Sequence, residues 1–316
     1  MKKKITIGQT DLQVAPFNLG GNVFGWTLDE NKSFAILDAY VEAGFDFIDT
    51  ADMYSYWVDG GAGGQSETIL GKWMKARGNR DKVVIATKVG GPTGVNEIDT
   101  SRAHILKTVD QSLKRLQTDY IDLYYTHYDD EKTPVEETLS AYDELIKAGK
   151  IRHIAVSNIT PERLRTSLAV SEKNNLPKYQ ALQPLYNLVE RQGYERDYAP
   201  IVAEHGLTVF PYYALASGFL TGKYRSEADF QKSPRGQGAA NYLNERGLTV
   251  LNALDEVAKR HQTVPAAVAL AWLSAQPHIG GPVASATSEE QLHEILSSVS
   301  LDLDGTDLEL LDIASK

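Results

Sequence analysis

Asp49, Lys88 and His127 each end a short run of strand-forming residues, and Tyr54 follows the first of them in the next loop. The runs 45–49, 83–88 and 121–127 are rich in β-branched and aromatic residues, which suit buried strands. A lysine that closes an apolar strand needs a counter-charge if it is buried, and Asp49 on the neighbouring run supplies one. A tyrosine hydroxyl titrates near ~10 in isolation. An ammonium beside it stabilises phenolate, so the expectation is a lowered pKa and a usable proton donor or acceptor. His127 would donate a hydrogen bond to a substrate oxygen and orient it. The chemistry expected is a proton relay for an oxygen that gains or loses negative charge, such as a carbonyl becoming an alkoxide. Each residue alone has an ordinary explanation: a capping aspartate, a packing tyrosine, a solvated lysine, a satisfied core histidine. Their joint occurrence at consecutive strand ends argues for a site.

The elements that must position these side chains are legible as an alternation. Further β-type runs lie at 154–157, 181–183, 207–212 and 282–284, with a first near 17–20. Helical segments separate them. Residues 33–43 carry apolar side chains at helical spacing and stop at Gly44. Ser66 reads as an N-cap with Glu67 in the first turn. Residues 102–116 place Ile105, Leu106, Val109, Leu113 and Leu116 on one face. Pro134 starts a helix that Gly149 ends, and Thr160-Pro161-Glu162 is a cap, an N1 proline and a first-turn acid. Residues 248–261 and 265–276 complete the series. About eight strand–helix units predict a closed parallel (β/α)8 barrel, a TIM barrel, as a single domain over 1–316. Residues 4–14 read as a β-hairpin that precedes the barrel and covers its N-terminal mouth. Residues 224–244, rich in Gly, Ser, Ala and charge, read as one of the long loops at the C-terminal face. In such barrels the chemistry lies at that face.

Composition narrows the function. The chain has 316 residues, 42% hydrophobic and 23% charged, as in ordinary globular proteins. Lys plus Arg is 32 against 42 for Asp plus Glu, a net charge of −10. Nucleic-acid binding needs the opposite balance. Cysteine is absent, which excludes disulfides and thiolate chemistry. No apolar run approaches the ~18 residues of a membrane span, and the opening residues do not resemble a secretory signal. The expectation is a cytoplasmic protein without a nucleic-acid or membrane partner. A metal-dependent barrel hydrolase would need several ligands at the strand ends, and His127 is the one histidine expected there.

The same residues carry a resemblance. The segments Asp49-Thr50-Ala51-Asp52-Met53-Tyr54 and Ser66-Glu67-Thr68-Ile69-Leu70-Gly71 resemble the signature of the aldo-keto reductase family. So do residues 113–123 followed by His127, and residues 149–158. The likeness runs from about Gln9 to the last helix, and the chain resembles the branch that includes potassium-channel β-subunit-like reductases. It implies a catalytic tetrad of Asp49, Tyr54, Lys88 and His127. It also implies hydride transfer between NADPH, or less commonly NADH, and an aldehyde or ketone.

A cofactor site follows from the resemblance. The Gly60–Gly64 stretch lacks a strand–turn–helix context and reads as a loop beside the site. Residues 215–223 follow the seventh strand, where barrels often bind phosphate, and end in a lysine. The family pattern implies that Ser157, Asn158 and Gln183 bind the nicotinamide carboxamide and that Tyr212 stacks on the ring. Leu215, Ser217, Gly218, Leu220 and Lys223 would hold the pyrophosphate side, with Arg235 a further phosphate ligand. Ser285, Thr287, Gln291 and Glu294 match the adenosine end, and Gly21 and Asn22 match contacts after the first strand. The chain departs from the pattern in having neither Lys nor Arg at Ser285 or Thr287. NADPH preference would then rest on Lys223 and Arg235. Ile295 stands where asparagine is common, and the loop between Tyr54 and Ser66 is longer than usual, bringing Tyr56 and Trp57 near. Phe24, Trp26, Trp57 and Tyr128 fall in loops on the catalytic side and would make an apolar substrate pocket. An NAD(P)H-dependent carbonyl reductase is the leading expectation. The alternative is a nucleotide-sensing regulatory subunit with little turnover.

Overall fold

The computed structural model describes residues 4–58, 62–93, 97–233 and 236–316. Strands β1 (Ile5–Thr6) and β2 (Gln13–Val14) form the expected antiparallel hairpin, with Ile5 opposite Val14. An eight-stranded parallel sheet follows: β3 (Asn18–Gly20), β4 (Phe47–Asp49), β5 (Val84–Val89), β6 (Ile121–Thr126), β7 (Ile151–Ser157), β8 (Ala181–Gln183), β9 (Thr208–Val209) and β10 (Val283–Ala284). Each pairs with its neighbour in sequence, and β10 returns to β3. The last seam is closed by single bonds. The Val209 N–H donates to the His278 carbonyl, the Gly280 N–H to Val209, and the Val283 N–H to Pro211, each at 2.9 Å. The sheet is therefore a barrel.

Helices cover the outside. They are α1 (Glu30–Glu42), α2 (Gln65–Arg77), α3 (Arg102–Leu116), α4 (Val135–Lys147), α5 (Pro161–Asn174) and α6 (Ala199–His205). Then come α7 (Gly236–Ala239), α8 (Glu245–His261), α9 (Pro265–Ser274), α10 (Glu289–Ser297) and α11 (Gly305–Ser315). Local chemistry explains the boundaries. Thr160 caps α5 by accepting from the Arg163 N–H, with Pro161 at its start, as the sequence predicts. Asn244 caps α8 three residues earlier than the periodicity suggests. Ser66 is not an N-cap: Gly64 precedes α2 in a left-handed conformation, and the Ser66 hydroxyl donates to the Gly21 carbonyl at 2.7 Å. Among the described residues, 224–244 is not one irregular loop. It folds into 3-10 turns at Glu227–Lys232 and Ala240–Tyr242 around the short α7.

Two apolar layers result. The larger lies between strands and helices, and a smaller cluster fills the barrel. Inside are Phe47, Ala86, Leu123, Tyr125, Ala155, Ala181 and Phe210, together with Ile7, Leu12 and Val14 of the hairpin. The hairpin thus plugs the N-terminal mouth. Burying each of those three aliphatic side chains is worth roughly 1.5–3 kcal/mol, and Asp11 at the turn accepts from Arg152 at 2.6 Å. Side chains alternate along a strand. The residue two places after an interior one therefore also points inward, one layer nearer the C-terminal mouth. From Phe47, Ala86, Tyr125, Ala155, Ala181 and Phe210, that rule leads to Asp49, Lys88, His127, Ser157, Gln183 and Tyr212.

Candidate active site

Lys88 is wholly buried at the end of β5, and Asp49 is wholly buried at the end of β4. The Lys88 ammonium donates to Asp49 Oδ2 at 2.5 Å, to the Thr50 carbonyl at 2.8 Å and to the Tyr54 hydroxyl at 2.8 Å. These are all the bonds an ammonium can make. Asp49 Oδ2 also accepts from the Tyr54 hydroxyl at 3.2 Å, and its Oδ1 accepts from Gln183 Nε2 at 2.9 Å. Asp49 thus holds Lys88 in place, as expected. The His127 ring lies edge-on to Tyr54 with centroids 6.0 Å apart. Its Nδ1 is buried with no hydrogen-bond partner among the described residues. Gly91 leaves room for it: a Cβ there would come within 2.9 Å of that nitrogen.

The electrostatics differ from the sequence expectation in one respect. Burial, followed by the charge of Asp49, pushes the Tyr54 phenol well above its ordinary pKa. Burial lowers the Lys88 pKa, and Asp49 opposes this. Burial and the Lys88 charge push His127 well below the usual imidazole value, so the ring is neutral. The free site holds a protonated phenol, a cationic lysine and a neutral histidine.

The residues assigned to the nicotinamide lie beside this group and bond to one another. Asn158 Nδ2 donates to the His127 carbonyl at 2.8 Å and to Ser157 Oγ at 3.1 Å. The Tyr212 hydroxyl donates to Asn158 Oδ1 at 3.1 Å, and Ser157 Oγ donates to the Gln183 carbonyl at 2.7 Å. Asn158 takes a positive φ of 39° to do this. In the 215–223 turn, Ala216, Ser217 and Gly218 are consecutively left-handed. Lys223 folds over Gly218, its Nζ 3.5 Å from where a Cβ would stand and 5.0 Å from the centroid of the Tyr224 ring. Leu215 and Ser217 are half-buried there, but the Leu220 side chain is in the core, so only its backbone faces the turn. At the far end, Ser285 Oγ donates to Asn22 Oδ1 at 2.6 Å, and Thr287 donates through N–H and Oγ1 to Gln291 Oε1. Glu294 is half-buried on α10. Gly21 is required by packing, since a Cβ would lie 2.9 Å from the Asp49 carbonyl. Arg235 lies outside the described residues. A row of amide, hydroxyl and aromatic groups with the Lys223 ammonium at one end suits a dinucleotide.

An aromatic cluster adjoins the Tyr54 and His127 rings. Trp57 packs against Tyr54, Tyr56 and Trp26 with centroids 6.2, 5.4 and 5.6 Å apart, and Tyr128 packs on His127 at 4.9 Å. Phe24 does not line this cleft: it is fully buried in the outer core, and its carbonyl accepts from Ser55. The sequence reading missed Tyr213. This residue has a positive φ of 53°, is 56% exposed and lies near enough to raise the Tyr54 pKa. A second aromatic directly after the strand-end Tyr212 was its signal.

The sequence model of the Aldo/keto reductase family matches residues 16–316. The chain is 32% identical to Protein tas of Escherichia coli over 328 residues, covering 94% of this chain and 93% of that protein. It is 37% identical to Aldo-keto reductase YhdN of Bacillus subtilis over 265 residues, covering 82% and 76%. It is 32% identical to a probable voltage-gated potassium channel subunit beta of Oryza sativa over 303 residues, covering 93% and 90%.

Proposed function

Since the chain belongs to the aldo/keto reductase family of oxidoreductases, we propose that it reduces aldehydes or ketones to alcohols with NADPH, Tyr54 giving the proton. One observation carries the reading: the buried Lys88 ammonium donates to Asp49 and to the Tyr54 hydroxyl together. Asp49 holds the charge on Lys88, and Lys88 stabilises the phenolate that forms as the proton leaves. Before reaction the phenol is protonated, so the site starts loaded. Its proton rests on Asp49 across 3.2 Å, long for an O–H···O bond, and is readily redirected to a substrate oxygen. Neutral His127 offers an N–H to the same oxygen. Trp26, Trp57, Tyr128 and Tyr213 favour a carbonyl compound with an aromatic or bulky apolar body.

When bound, a nicotinamide dinucleotide supplies the hydride for the carbonyl carbon. Ser157, Asn158 and Gln183 would hold its carboxamide and Tyr212 its ring. Ser217, Gly218 and Lys223 would hold the pyrophosphate, and Asn22, Ser285, Thr287, Gln291 and Glu294 the adenosine. The adenosine end carries no cation at Ser285 or Thr287, so choice of NADPH over NADH would require Lys223 or Arg235 to reach the 2′-phosphate rather than the pyrophosphate.

Fluorescence of the four tryptophans, titrated with NADPH and with NADH, tests the cofactor. Oxidation of NADPH by an aromatic aldehyde, compared between the parent and Tyr54→Phe, tests the proton donor. Saturable binding, with turnover at least ~100-fold lower in the variant, is the expected result. Binding of neither nucleotide, or a variant as fast as the parent, overturns it. The likeness to a potassium channel subunit beta supports a second reading, a nucleotide-binding regulatory subunit. Tight NADPH binding with negligible turnover on every carbonyl tried would favour that reading.

A further inference from the structure

Behind the tetrad lies a second buried charged group that the proposed chemistry does not use. Glu67, on the first turn of α2, is wholly buried. Its Oε1 accepts from Thr87 Oγ1 and its Oε2 from Arg115 Nε, each at 2.6 Å. Thr87 is the residue before Lys88 on β5 and points to the opposite face. Arg115 comes from the end of α3 and reaches Glu67 past Gly64. A Cβ on Gly64 would lie 2.5 Å from the Arg115 side chain, and one on Gly71 would strike the Arg115 carbonyl. Gly64 therefore admits the guanidinium, and Gly71 admits the backbone at the end of α3 that carries it. A buried ion pair commonly costs more in desolvation than it returns, and apolar residues of similar shape often replace it without loss. Its presence beside the strand that carries Lys88 asks for another account.

The pair is asymmetric. The Arg115 side chain is 26% exposed, whereas that of Glu67 is 0% exposed, so water screens the guanidinium more than the carboxylate. We propose that Glu67, held by Arg115, is a positioning residue for the proton-donor pair: it fixes β5 through Thr87 and supplies a buried negative charge behind Lys88. This deepens the reductase reading and rests on it. Several groups bear on Lys88. Asp49 touches it from β4, and Tyr54 and Asp52 face it from the loop after β4. Glu67 acts from α2, and Tyr125 and His127 lie beside it on and after β6. Burial and the Glu67 charge push Asp52 up to about 8, so at neutral pH Asp52 adds little charge of its own. After Asp49, the carboxylates that favour the Lys88 ammonium are Asp52 and then Glu67.

The test is Glu67→Gln, with Glu67→Asp as the conservative rescue. The Lys88 Nζ resonance would be titrated by NMR in cofactor-free protein, which needs no substrate and does not depend on turnover. In Glu67→Gln the Lys88 pKa falls by about one unit, as expected for loss of a nearby opposite charge. Glu67→Asp restores most of it. The alkaline limb of the kcat profile moves down with it, while KM for NADPH stays within about twofold. Identical Lys88 titrations in the parent and Glu67→Gln overturn the proposal. If Glu67→Gln does not fold, Thr87→Val tests the positioning half: kcat falls about three- to tenfold at unchanged KM. A Thr87→Val protein with the parent kcat overturns it. Absence of turnover in the parent would instead refute the reductase reading and leave the Lys88 titration interpretable.

Discussion

Gln183 Nε2 donates to Asp49 Oδ1 at 2.9 Å across 134 residues of sequence. The bond joins a residue of the proposed nicotinamide clamp to the carboxylate that orders the proton donor. In the proposed reaction, nucleotide binding and proton transfer therefore share one hydrogen-bonded carboxylate. Gln183→Ala removes a hydrogen bond to a buried charge, costing about 1.5–3 kcal/mol. The expected outcome is weaker NADPH binding by fluorescence titration together with a slower single-turnover step. A change in one without the other would show that the bond does not couple them.

Asp49→Asn leaves the Lys88 ammonium buried without a carboxylate in contact. Breaking one side of a buried pair costs about 3–5 kcal/mol. Urea denaturation should show that loss, and the double variant Asp49→Asn/Lys88→Met should recover part of it. A single variant as stable as the parent would mean that Lys88 had lost its charge already.

His127 gives stability a pH dependence. Its folded-state pKa is depressed well below 6.5 by burial and Lys88, so the unfolded chain takes up the proton first. Stability from this group is full above about 6.5 and declines as pH falls below that value, with a slope of at most about 1.4 kcal/mol per pH unit. Urea midpoints at pH 7.5 and 5.5 check it. The neutral variant His127→Asn should lose less on acidification than the parent. Equal losses would assign the acid sensitivity to other groups.

The hairpin predicts stability without chemistry. Leu12 is 2% exposed inside the N-terminal mouth, and truncation of a buried leucine costs about 2–5 kcal/mol. Leu12→Ala should lower the unfolding midpoint by that amount and leave kcat at 25 °C unchanged. A fall in kcat would reveal that the plug sets the geometry at the opposite mouth.

Much of this was legible in the chain itself. Alternation along each run decides which face a residue takes, so the order of interior residues ending in Asp49, Lys88, His127, Ser157, Gln183 and Tyr212 follows from sequence once the strands are placed. Caps such as Thr160 with Pro161 are local and equally readable. Tertiary structure decided the rest, because those features depend on what another element brings close. Glu67 looks like a first-turn acid until α3 delivers Arg115 to it. Phe24 and Leu220 look available until the helices close over them. The Tyr54 hydroxyl beside a lysine suggests a lowered pKa, yet burial and the opposing charge of Asp49 reverse the direction. Spacing identifies the groups, whereas their ionisation depends on how much solvent and counter-charge the folded barrel leaves around them.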